Sequence, residues 1–483
     1  MLPDLTVPLP GSLDELLAWF RPLFTAPSFR TFRALAAGFL AQTGKRTVRG
    51  ILSGAGLAGI WPHHRAHRFF SRARRDAGAL GLALARLVVT LLVPPGAPVL
   101  VAIDGTLFRR AGKKVYAAGW FRDGSAKGGR QVGFGSNWVI AAIVVRLPFM
   151  TRPVALPVMA RLIRKGLKPA PASGLVQARQ VTAGLARALP GRTIRVVADS
   201  ACAGKELSRL PGQVTWTTRL RKDAALYELP GPRTGRRGRP RVKGARLPSL
   251  ADPAKTAGFR QVTVRRYGKT ATVHAAVITC LWHGVFGTRT VNVVLIRDRS
   301  ATGYDLALAT TGLDASPEQV TERYAARWSI EVGAIEDAKQ ISGGGQARNR
   351  HPAAVSRTVP FTLTCQTIAM LWHATTAASY PGDAEARRAL APGTRPRPPR
   401  PPRTSPPGSA APSLPRNIGQ LTQVSRPPKK SGPSRWPGKT LPRNGESRDV
   451  IYWGDIDAAG LSIVNDLRMA GINVETMLMD YAT

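Results

Sequence analysis

The sequence predicts a mixed α/β protein with a helical N-terminal region and a β-rich insertion. Residues 12–80 carry apolar side chains at helical spacing. Between 81 and 199, apolar strand-like runs alternate with helix-like segments, as in a sheet that is covered by helices. Residues 213–300 lack helical periodicity and contain short β-rich pieces between polar turns. Together these patterns favour one α/β core that is interrupted by the β-rich insertion.

The first helix is predicted directly after Ser12. Ser12 and Glu15 have the spacing of a capping box, and the apolar residues from Leu13 to Phe20 follow with helical period. A second helix is expected at 29–42, where phenylalanine and leucine recur on one face.

Residues 47–75 predict a helix, a glycine-containing turn and a basic helix, HHRAHRFFSRARR. One interpretation is a helix-turn-helix-like unit that binds DNA, with Arg65 and Arg68 among its contacts. The other is a small helical bundle with a solvated basic face. His63 and His67 have the i, i+4 spacing of a zinc pair, but without a third ligand a surface or phosphate-facing role is favoured.

The α/β core is predicted to contain the following elements: a buried helix at 81–93, strands at 99–103, 138–146, 154–158 and 194–198, and a helix at 171–189. Two of these strands are expected to end in an aspartate, namely Asp104 and Asp199. Open sheets carry their chemistry at the carboxyl ends of strands. An aspartate in that position is also a common turn or helix cap, and both interpretations are open at this point.

A third acidic stretch lies on a predicted helix at 317–340, which begins with Ser316 as its cap and Pro317 in its first turn. With about 100° per residue, Tyr324 and Glu331 fall within roughly 20° of each other on the helix, and Arg327 lies within about 60°. Carboxylates from two strands and one helix can hold two Mg²⁺ ions about 4 Å apart for phosphodiester chemistry.

The charge balance favours a polyanionic partner. Lysine and arginine total 70 against 28 acidic residues, which gives a net charge of +42. Nucleic acid and an anionic membrane both suit such a charge, although GC-rich coding explains part of the arginine excess. The loop 231–244 concentrates this charge, and Arg237, Arg239 and Arg241 either enter a DNA minor groove or form a solvated hairpin tip.

No segment of the sequence indicates export or membrane insertion. The N-terminus lacks the basic and apolar regions of a signal peptide. The longest apolar run, 79–102, is broken by Arg86 and by two prolines. Three well-separated cysteines argue against a disulfide framework. These patterns predict a protein of the reducing cytoplasm without a membrane partner.

Three acidic motifs resemble those of DDE-type transposases of bacterial insertion sequences, in particular the group with a Tyr-Arg-Glu-Lys signature: Asp104-Gly105-Thr106, Asp199-Ser200 and Tyr324-x2-Arg327-x3-Glu331. The resemblance spans about residues 12–376 and includes the GRPR loop, ARWSIEV, EDAKQ and GQARNR. It implies a ribonuclease-H-like core, binding to terminal inverted repeats and to target DNA, and cleavage and strand transfer with Mg²⁺ or Mn²⁺. It also implies a nucleoid-associated enzyme that is a homodimer or larger when two DNA ends are paired.

The same resemblance assigns residues. Asp104, Asp199 and Glu331 are implied to be the catalytic metal ligands, and Tyr324 and Arg327 are implied to contact DNA, together with the signature lysine. That lysine, Lys339, follows Glu331 after seven residues instead of six. The spacing predicts either that a π-bulge absorbs the extra residue or that Lys339 misses the DNA, and it raises the hypothesis of a degenerate copy.

The C-terminal part of the chain departs from that family. Residues 381–447 are rich in proline and arginine and predict a disordered linker. The following YWGDIDAAGLSIVNDLR and ETMLMD resemble part of the toprim-type domain of the Wadjet anti-plasmid nuclease subunit. In this resemblance Asp455 and Asp457 match a metal motif.

Six segments are predicted, and two rivals to a transposase stay open. The segments are a helical DNA-binding region (1–80), the first core part (81–212), the β-rich insertion (213–300), the second core part with the acidic helix (301–380), the linker (381–447) and a truncated toprim-like fragment (448–483). One rival is a protein that binds terminal repeats without cutting them. The other is a defence nuclease that uses Asp455 and Asp457.

Overall fold

The computed structural model describes most of the chain up to residue 376 and two short strands near the C-terminus. The described ranges are residue 7 and residues 9–42, 44–74, 76–124, 131–148, 150–164, 173–232, 240–298 and 302–376, with the backbone of 449–453 and 473–477. Residue contacts divide the chain into two units, 1–379 and 380–483.

Helices occupy the N-terminal region and cover the sheet of the first unit. In the described residues they are α1 (Gly11–Ala18), α2 (Ala26–Ala41), α3 (Val48–Gly54), α4 (His63–Ser71), α5 (Ala77–Leu92), α6 (Gly174–Ala188), α7 (Pro253–Thr256), α8 (His283–Phe286), α9 (Pro317–Ala326), α10 (Glu336–Gln340) and α11 (Pro352–Thr376). A π-helix at Ile330–Ile335 lies between α9 and α10. Short 3-10 helices occur at Arg21–Leu23, Ser200–Cys202 and Lys205–Arg209.

Of two predicted helix caps, one is absent and one is present. Helix α1 begins at Gly11, and its N-terminal neighbour Pro10 makes no side-chain cap. The predicted capping box is therefore wrong: Ser12 lies inside the helix, and its hydroxyl accepts a hydrogen bond from Trp372 Nε1 at 2.9 Å. The cap predicted at Ser316 is confirmed, since its Oγ accepts from the amide of Gln319 at 3.3 Å.

The strands form one mixed sheet. They are β1 (Val99–Arg109), β2 (Gly119–Arg122), β3 (Val132–Val145), β4 (Val154–Leu162), β5 (Ile194–Ala198), β6 (Val214–Arg219), β7 (Arg260–Arg266), β8 (Lys269–Leu281), β9 (Thr290–Arg297) and β10 (Leu306–Thr310). The order across the sheet is β2-β3-β1-β5-β6-β10-β9-β8-β7, and β4 pairs with β3.

The centre of this sheet confirms the predicted ribonuclease-H-like arrangement. Strands β1, β3 and β4 follow one another as antiparallel partners. Helix α6 then crosses over, and β5 and β6 run parallel to β1. Such a crossover is needed because parallel neighbours cannot be joined by a tight turn.

Strand β1 is longer than predicted, and this changes the position of Asp104. The prediction that the strand ends at Asp104 is wrong, because Asp104 pairs with Ile140 of β3 and the antiparallel ladder continues to Arg109. The parallel pairing of β1 with β5 ends earlier, at the pair Ile103 and Ala198. Asp104 therefore lies in the middle of β1, one residue beyond the last residue of β1 that pairs with β5.

The β-rich segment extends the same sheet. Strand β6, within the predicted insertion 213–300, pairs in parallel with β5. Strands β7, β8 and β9 form an antiparallel meander, and β10 joins it to β6 by antiparallel pairing with both β9 and β6. The six-segment division itself stays a prediction.

Helix α11 connects the N-terminal helices to the sheet. Phe361, which is 1% exposed, lies within 6.2 Å (ring centroid to centroid) of four phenylalanines. These are Phe32, Phe39, Phe69 and Phe70 of α2 and α4. On its other side, Thr367 donates a 2.7 Å hydrogen bond to the carbonyl of Pro157 in β4. The N-terminal helices and the sheet thus share one apolar core.

The described part of the second unit consists of two parallel strands, β11 (Asp449–Trp453) and β12 (Asn473–Met477). The predicted linker and the predicted metal motif at Asp455 and Asp457 lie outside the described residues. No helix in the described portion of the chain is both long and apolar enough to cross a membrane.

Candidate active site

Asp104 and Asp199 are brought together by the parallel pairing of β1 and β5. Because Ile103 is the register partner of Ala198, the two aspartates follow adjacent positions on neighbouring strands. Asp104 Oδ1 accepts a 2.7 Å hydrogen bond from the amide of Gly105. Asp199 Oδ1 accepts from the amides of Ala201 at 3.0 Å and Cys202 at 3.3 Å.

Asp199 is therefore a helix cap, as one of the two interpretations of the sequence expected, since these amides lie in the first turn of the 3-10 helix Ser200–Cys202. This role does not separate Asp199 from the acidic site. Thr218 of β6 donates a 2.8 Å hydrogen bond to the Asp199 carbonyl and fixes the backbone where β5 ends. The cap thus holds the carboxylate at the edge where Asp104 lies.

Arg327 links the first aspartate to the acidic helix. Its Nη1 lies 2.5 Å from Glu331 Oε1 and 3.5 Å from Asp104 Oδ2. The arginine side chain is 7% exposed, Asp104 is 14% exposed and Glu331 is 34% exposed. A guanidinium removed from water needs carboxylate partners, and these two carboxylates supply them. One buried cation therefore holds Asp104 and Glu331 at the same place.

The charges of both other acids act on Asp104. Burial, together with the negative charges of Glu331 and Asp199, raises the pKa of Asp104 to about 7, and the positive charge of Arg327 opposes this shift. Burial, and then the charges of Asp199 and Asp104, raise the pKa of the Cys202 thiol. Since a thiol in such surroundings stays protonated, Cys202 is unsuited to act as a nucleophile.

Tyr324 and Trp328 frame the guanidinium of Arg327. Its central carbon lies 5.6 Å from the Tyr324 ring centroid and 5.7 Å from that of Trp328. Burial raises the pKa of Tyr324, although the charges of Arg327 and Arg219 oppose this effect. The Tyr324 hydroxyl therefore stays protonated at neutral pH. Trp328 is 43% exposed beside this site, and the sequence reasoning did not single it out.

The predicted π-bulge is present. The chain is π-helical at Ile330–Ile335, between Glu331 and Lys339. A π-turn accommodates one extra residue, so Lys339, eight positions after Glu331, returns close to the face that a seven-residue separation gives in an α-helix. Burial lowers the pKa of Lys339, and Asp123 and Asp104 are among the charges that act on it. The lysine therefore belongs to the surroundings of the acidic cluster.

Helix α11 supports this π-helix from behind. Gln366 Nε2 lies 3.2 Å from the carbonyl of Ala334 and 3.5 Å from that of Gly333. A π-helix leaves backbone carbonyls displaced from their α-helical partners, and the amide of Gln366 partly satisfies them. The packing of α11 thus contributes to the register between Glu331 and Lys339.

Asp123 is a site neighbour that the sequence reasoning missed. It is 3% exposed, and its Oδ2 accepts hydrogen bonds from Arg109 Nε at 3.0 Å and Nη2 at 2.8 Å. In the sequence it is part of an Asp-Gly pair, which is typical of a turn. Only the folded hairpin brings it near Lys339.

Residues 19–277 match the family model described as DDE superfamily endonuclease. The chain belongs to the DDE superfamily of endonucleases. The match includes Asp104 and Asp199 and ends before Glu331. Residues 434–483 match the model described as Wadjet protein JetD, C-terminal. No curated protein matches the sequence.

Among solved structures, the DDE endonuclease is similar to piggyBac transposase in a synaptic complex with hairpin DNA. The identity is 12%, the similarity covers 76% of this chain and 72% of that chain, and the TM-score is 0.36.

The predicted DNA-binding arginines of this DDE endonuclease lie in different surroundings. Arg68 is exposed on α4, whereas Arg65 stacks on the ring of Trp61 at 3.6 Å and donates to Thr31. Arg241 is exposed. Arg237 and Arg239 lie outside the described residues, and His63 and His67 are exposed on α4.

DDE endonucleases generally use divalent metal ions, and the donor chemistry of this cluster suits Mg²⁺ or Mn²⁺ because all three side chains offer carboxylate oxygens. Among the described residues, however, no group of three His, Cys, Asp or Glu side chains is spaced for a metal as it stands. Arg327 contacts both Asp104 and Glu331 and supplies positive charge to them.

Proposed function

We propose that this DDE endonuclease is a transposase that cuts DNA at the ends of an insertion sequence and joins the released 3′-OH groups to target DNA. The observation that carries the proposal is the acidic cluster on the ribonuclease-H-like sheet. Asp104 and Asp199 follow paired positions of β1 and β5, and Arg327 links Asp104 to Glu331. The net charge of +42 supports DNA as the partner.

Asp104, Asp199 and Glu331 would hold Mg²⁺ or Mn²⁺. Bound there, such ions supply the charge that stabilises the attacking and leaving oxygens of a phosphodiester. The chain supplies the positions of these carboxylates: β1 and β5 fix the two aspartates, and the π-helix carries the glutamate.

Arg327 and Tyr324 would bind the DNA phosphate. A guanidinium released from Glu331 can donate two hydrogen bonds to a phosphate, which is the geometry that arginine favours. The protonated Tyr324 hydroxyl is a further donor on the same side of the cluster. Lys339 adds a cation whose position depends on the π-helix.

The first test is metal-dependent nicking of a DNA fragment that carries a terminal repeat of the element. We expect the full chain to nick it with Mg²⁺ or Mn²⁺, and Asp199→Asn to reduce the rate at least 100-fold because a carboxylate ligand is lost. Asp223→Asn, at an exposed position, is the matched control and should leave the rate unchanged. Nicking at the parental rate by Asp199→Asn contradicts the assignment of the site.

Joining is tested separately from cutting. A pre-cut end with a free 3′-OH is mixed with circular target DNA and metal, and the joined product is measured on a gel. Pairing of two ends calls for at least two copies of the chain, so the product should form in a complex that contains a dimer or a larger assembly. Nicking without joining limits the function to that of an endonuclease.

A second candidate function is binding to terminal repeats without cleavage. The pairing of Arg327 with Glu331 and Asp104 favours it, because this arrangement neutralises the acids without a metal. Under this alternative, the end fragment binds equally well with Mg²⁺ and with EDTA, and it stays intact in both. Cleavage in the presence of Mg²⁺ or Mn²⁺ excludes it.

A further inference from the structure

A cavity of about 300 Å³ lies between α9 and the sheet, away from the acidic cluster. Its floor includes Leu100 of β1 and Val144 and Val145 at the end of β3. Helix α9 contributes the opposite wall with residues spaced three and four apart, from Gln319 to Ala326. This spacing places them on one face of the helix.

The cavity and the acidic cluster are separate sites. The cavity face of α9 lies about 120° round the helix from the side that carries Tyr324 and Arg327. Along β1, Leu100 precedes Asp104 by four residues, which corresponds to about 13 Å of strand. A group bound in the cavity therefore leaves the three carboxylates untouched.

Three arginines give the cavity its charge. Arg146, Arg195 and Arg323 line it, against one acidic residue, Glu322. Glu322 is already engaged, since its Oε1 accepts a 2.7 Å hydrogen bond from the backbone amide of Arg265 in β7. The lining thus carries two more positive than negative charges; Arg195 and Arg323 are half-buried, and Arg146 is exposed.

The groups that contact these three arginines do not cancel the excess of positive charge in the cavity. Arg323 Nη2 donates to Gln319 Oε1 at 2.8 Å, which is a neutral acceptor. Arg195 lies 4.0 Å from Asp314, whose side chain is 76% exposed. Within the described part of the chain, Arg146 forms no ion pair. Burial and the neighbouring Arg195 lower the pKa of Arg323 to about 10, as expected for like charges held close together.

We infer that this cavity binds a phosphate-bearing ligand through Arg146, Arg195 and Arg323. Guanidinium groups match phosphate oxygens in pairs, and the volume is at the lower end of small-ligand sites. The phosphate belongs either to the backbone of a DNA segment or to a free polyphosphate. The inference does not depend on the proposed catalysis, because phosphate binding here needs neither the carboxylates nor a metal.

Two variants of the full chain weaken the proposed phosphate site in different ways. Arg195→Gln removes one guanidinium. Gln319→Glu leaves every guanidinium in place and sets a carboxylate beside Arg323, where it lowers the excess of positive charge from two to one and favours the folded chain. The matched control is Arg187→Gln, which changes an exposed arginine of α6 outside the cavity.

The measurement is binding of inorganic pyrophosphate and of a short DNA duplex without terminal repeats, both in EDTA. We expect both cavity variants to lose at least tenfold in affinity for one of these probes, with the control unchanged. Loss for pyrophosphate assigns the site to free polyphosphate, and loss for the duplex alone assigns it to the DNA backbone. Parental affinity for both probes in a Gln319→Glu protein that melts at the parental temperature overturns the inference.

Discussion

At the scale of single residues, Arg327 takes the role of an internal cation. It is nearly fully buried, and its Nη1 contacts carboxylates from β1 and from the π-helix. The Coulomb energy of such a pair is offset by the cost of desolvating it, so the pair specifies position more than stability. Arg327 therefore holds Asp104 and Glu331 together through its own positive charge.

Asp104 should make the stability of the metal-free protein depend on pH. Its pKa is raised from 3.8 to about 7, so the folded state binds this proton more tightly than the unfolded chain. The stabilisation that comes from this bound proton is thus complete below about pH 4 and is lost as the pH rises through about 7. In EDTA at pH 8, we expect Asp104→Asn to melt roughly 2–6 °C above the parent, and the difference should shrink towards pH 4.

Differential scanning calorimetry of both proteins across this pH range measures the effect. Asp223→Asn, an exposed position, serves as the control and should show no trend with pH. An Asp104→Asn protein that melts below the parent by the same amount at pH 4 and at pH 8 contradicts the proposed electrostatics.

At the scale of elements, the π-helix explains how the extra residue between Glu331 and Lys339 is tolerated. Ile330–Ile335 forms the wider turn, and Gln366 of α11 donates to its carbonyls. The spacing in the sequence left two outcomes open. The structure has the π-helix, and Gln366, which contacts it, lies on α11, more than 20 residues further along the chain.

Deleting Gly333 should convert this turn into an ordinary α-helix and leave Lys339 in register, about 700° from Glu331. A side chain at Gly333 would meet open space, and the contact that the deletion removes is that of the Gly333 carbonyl with Gln366 Nε2 at 3.5 Å. We expect nicking of the end fragment to equal or exceed the parental rate. The matched opposite change is insertion of an alanine after Gly333, which turns Lys339 about 100° away from Glu331. We expect this insertion to lower the rate of nicking at least tenfold. Equal rates for deletion and insertion contradict the register argument.

Phe361 is the contact between the N-terminal helices and the rest of the unit. It is 1% exposed and packs edge-on against phenylalanines of α2 and α4. Because the rigid rings around it cannot close the gap, Phe361→Ala should lower the free energy of unfolding by about 3–5 kcal/mol. Denaturant unfolding measures this. Leu313→Ala, at a half-exposed position, should change it by less than about 0.5 kcal/mol.

At the scale of the whole molecule, the acidic cluster and the cores that support it lie within the first unit. The described apolar clusters end at α11, and the DDE match ends at residue 277. The match at 434–483 concerns the other unit. The two ends of the chain thus resemble different families, and they can be tested apart.

Truncation after Ser379 should leave folding and metal-dependent nicking intact. We expect the shortened chain to melt within about 2 °C of the parent and to nick the end fragment at a comparable rate. Non-specific DNA affinity should fall moderately at low salt, because the removed segment is rich in arginine. Loss of all cleavage on truncation favours the rival nuclease that uses Asp455 and Asp457.

The sequence by itself determined the fold class, the strands that carry Asp104 and Asp199, the helix start at Ser316 and the presence of three acidic stretches. Local apolar periodicity and capping chemistry are enough for these features, because they depend on residues close together in the chain.

Only the tertiary structure decided where these residues meet. The parallel register of β1 and β5 places the two aspartates together, and β3 keeps Asp104 inside a strand. The burial that raises the pKa of Asp104, the position of Asp123 and the arginine-lined cavity under α9 also depend on long-range packing. The pairing of β1 with β5 and the cavity between α9 and these strands join segments more than 90 residues apart, and β3 pairs with β1 across 36 residues at Asp104. Over such separations, pairing and burial of side chains, rather than local periodicity, set the geometry.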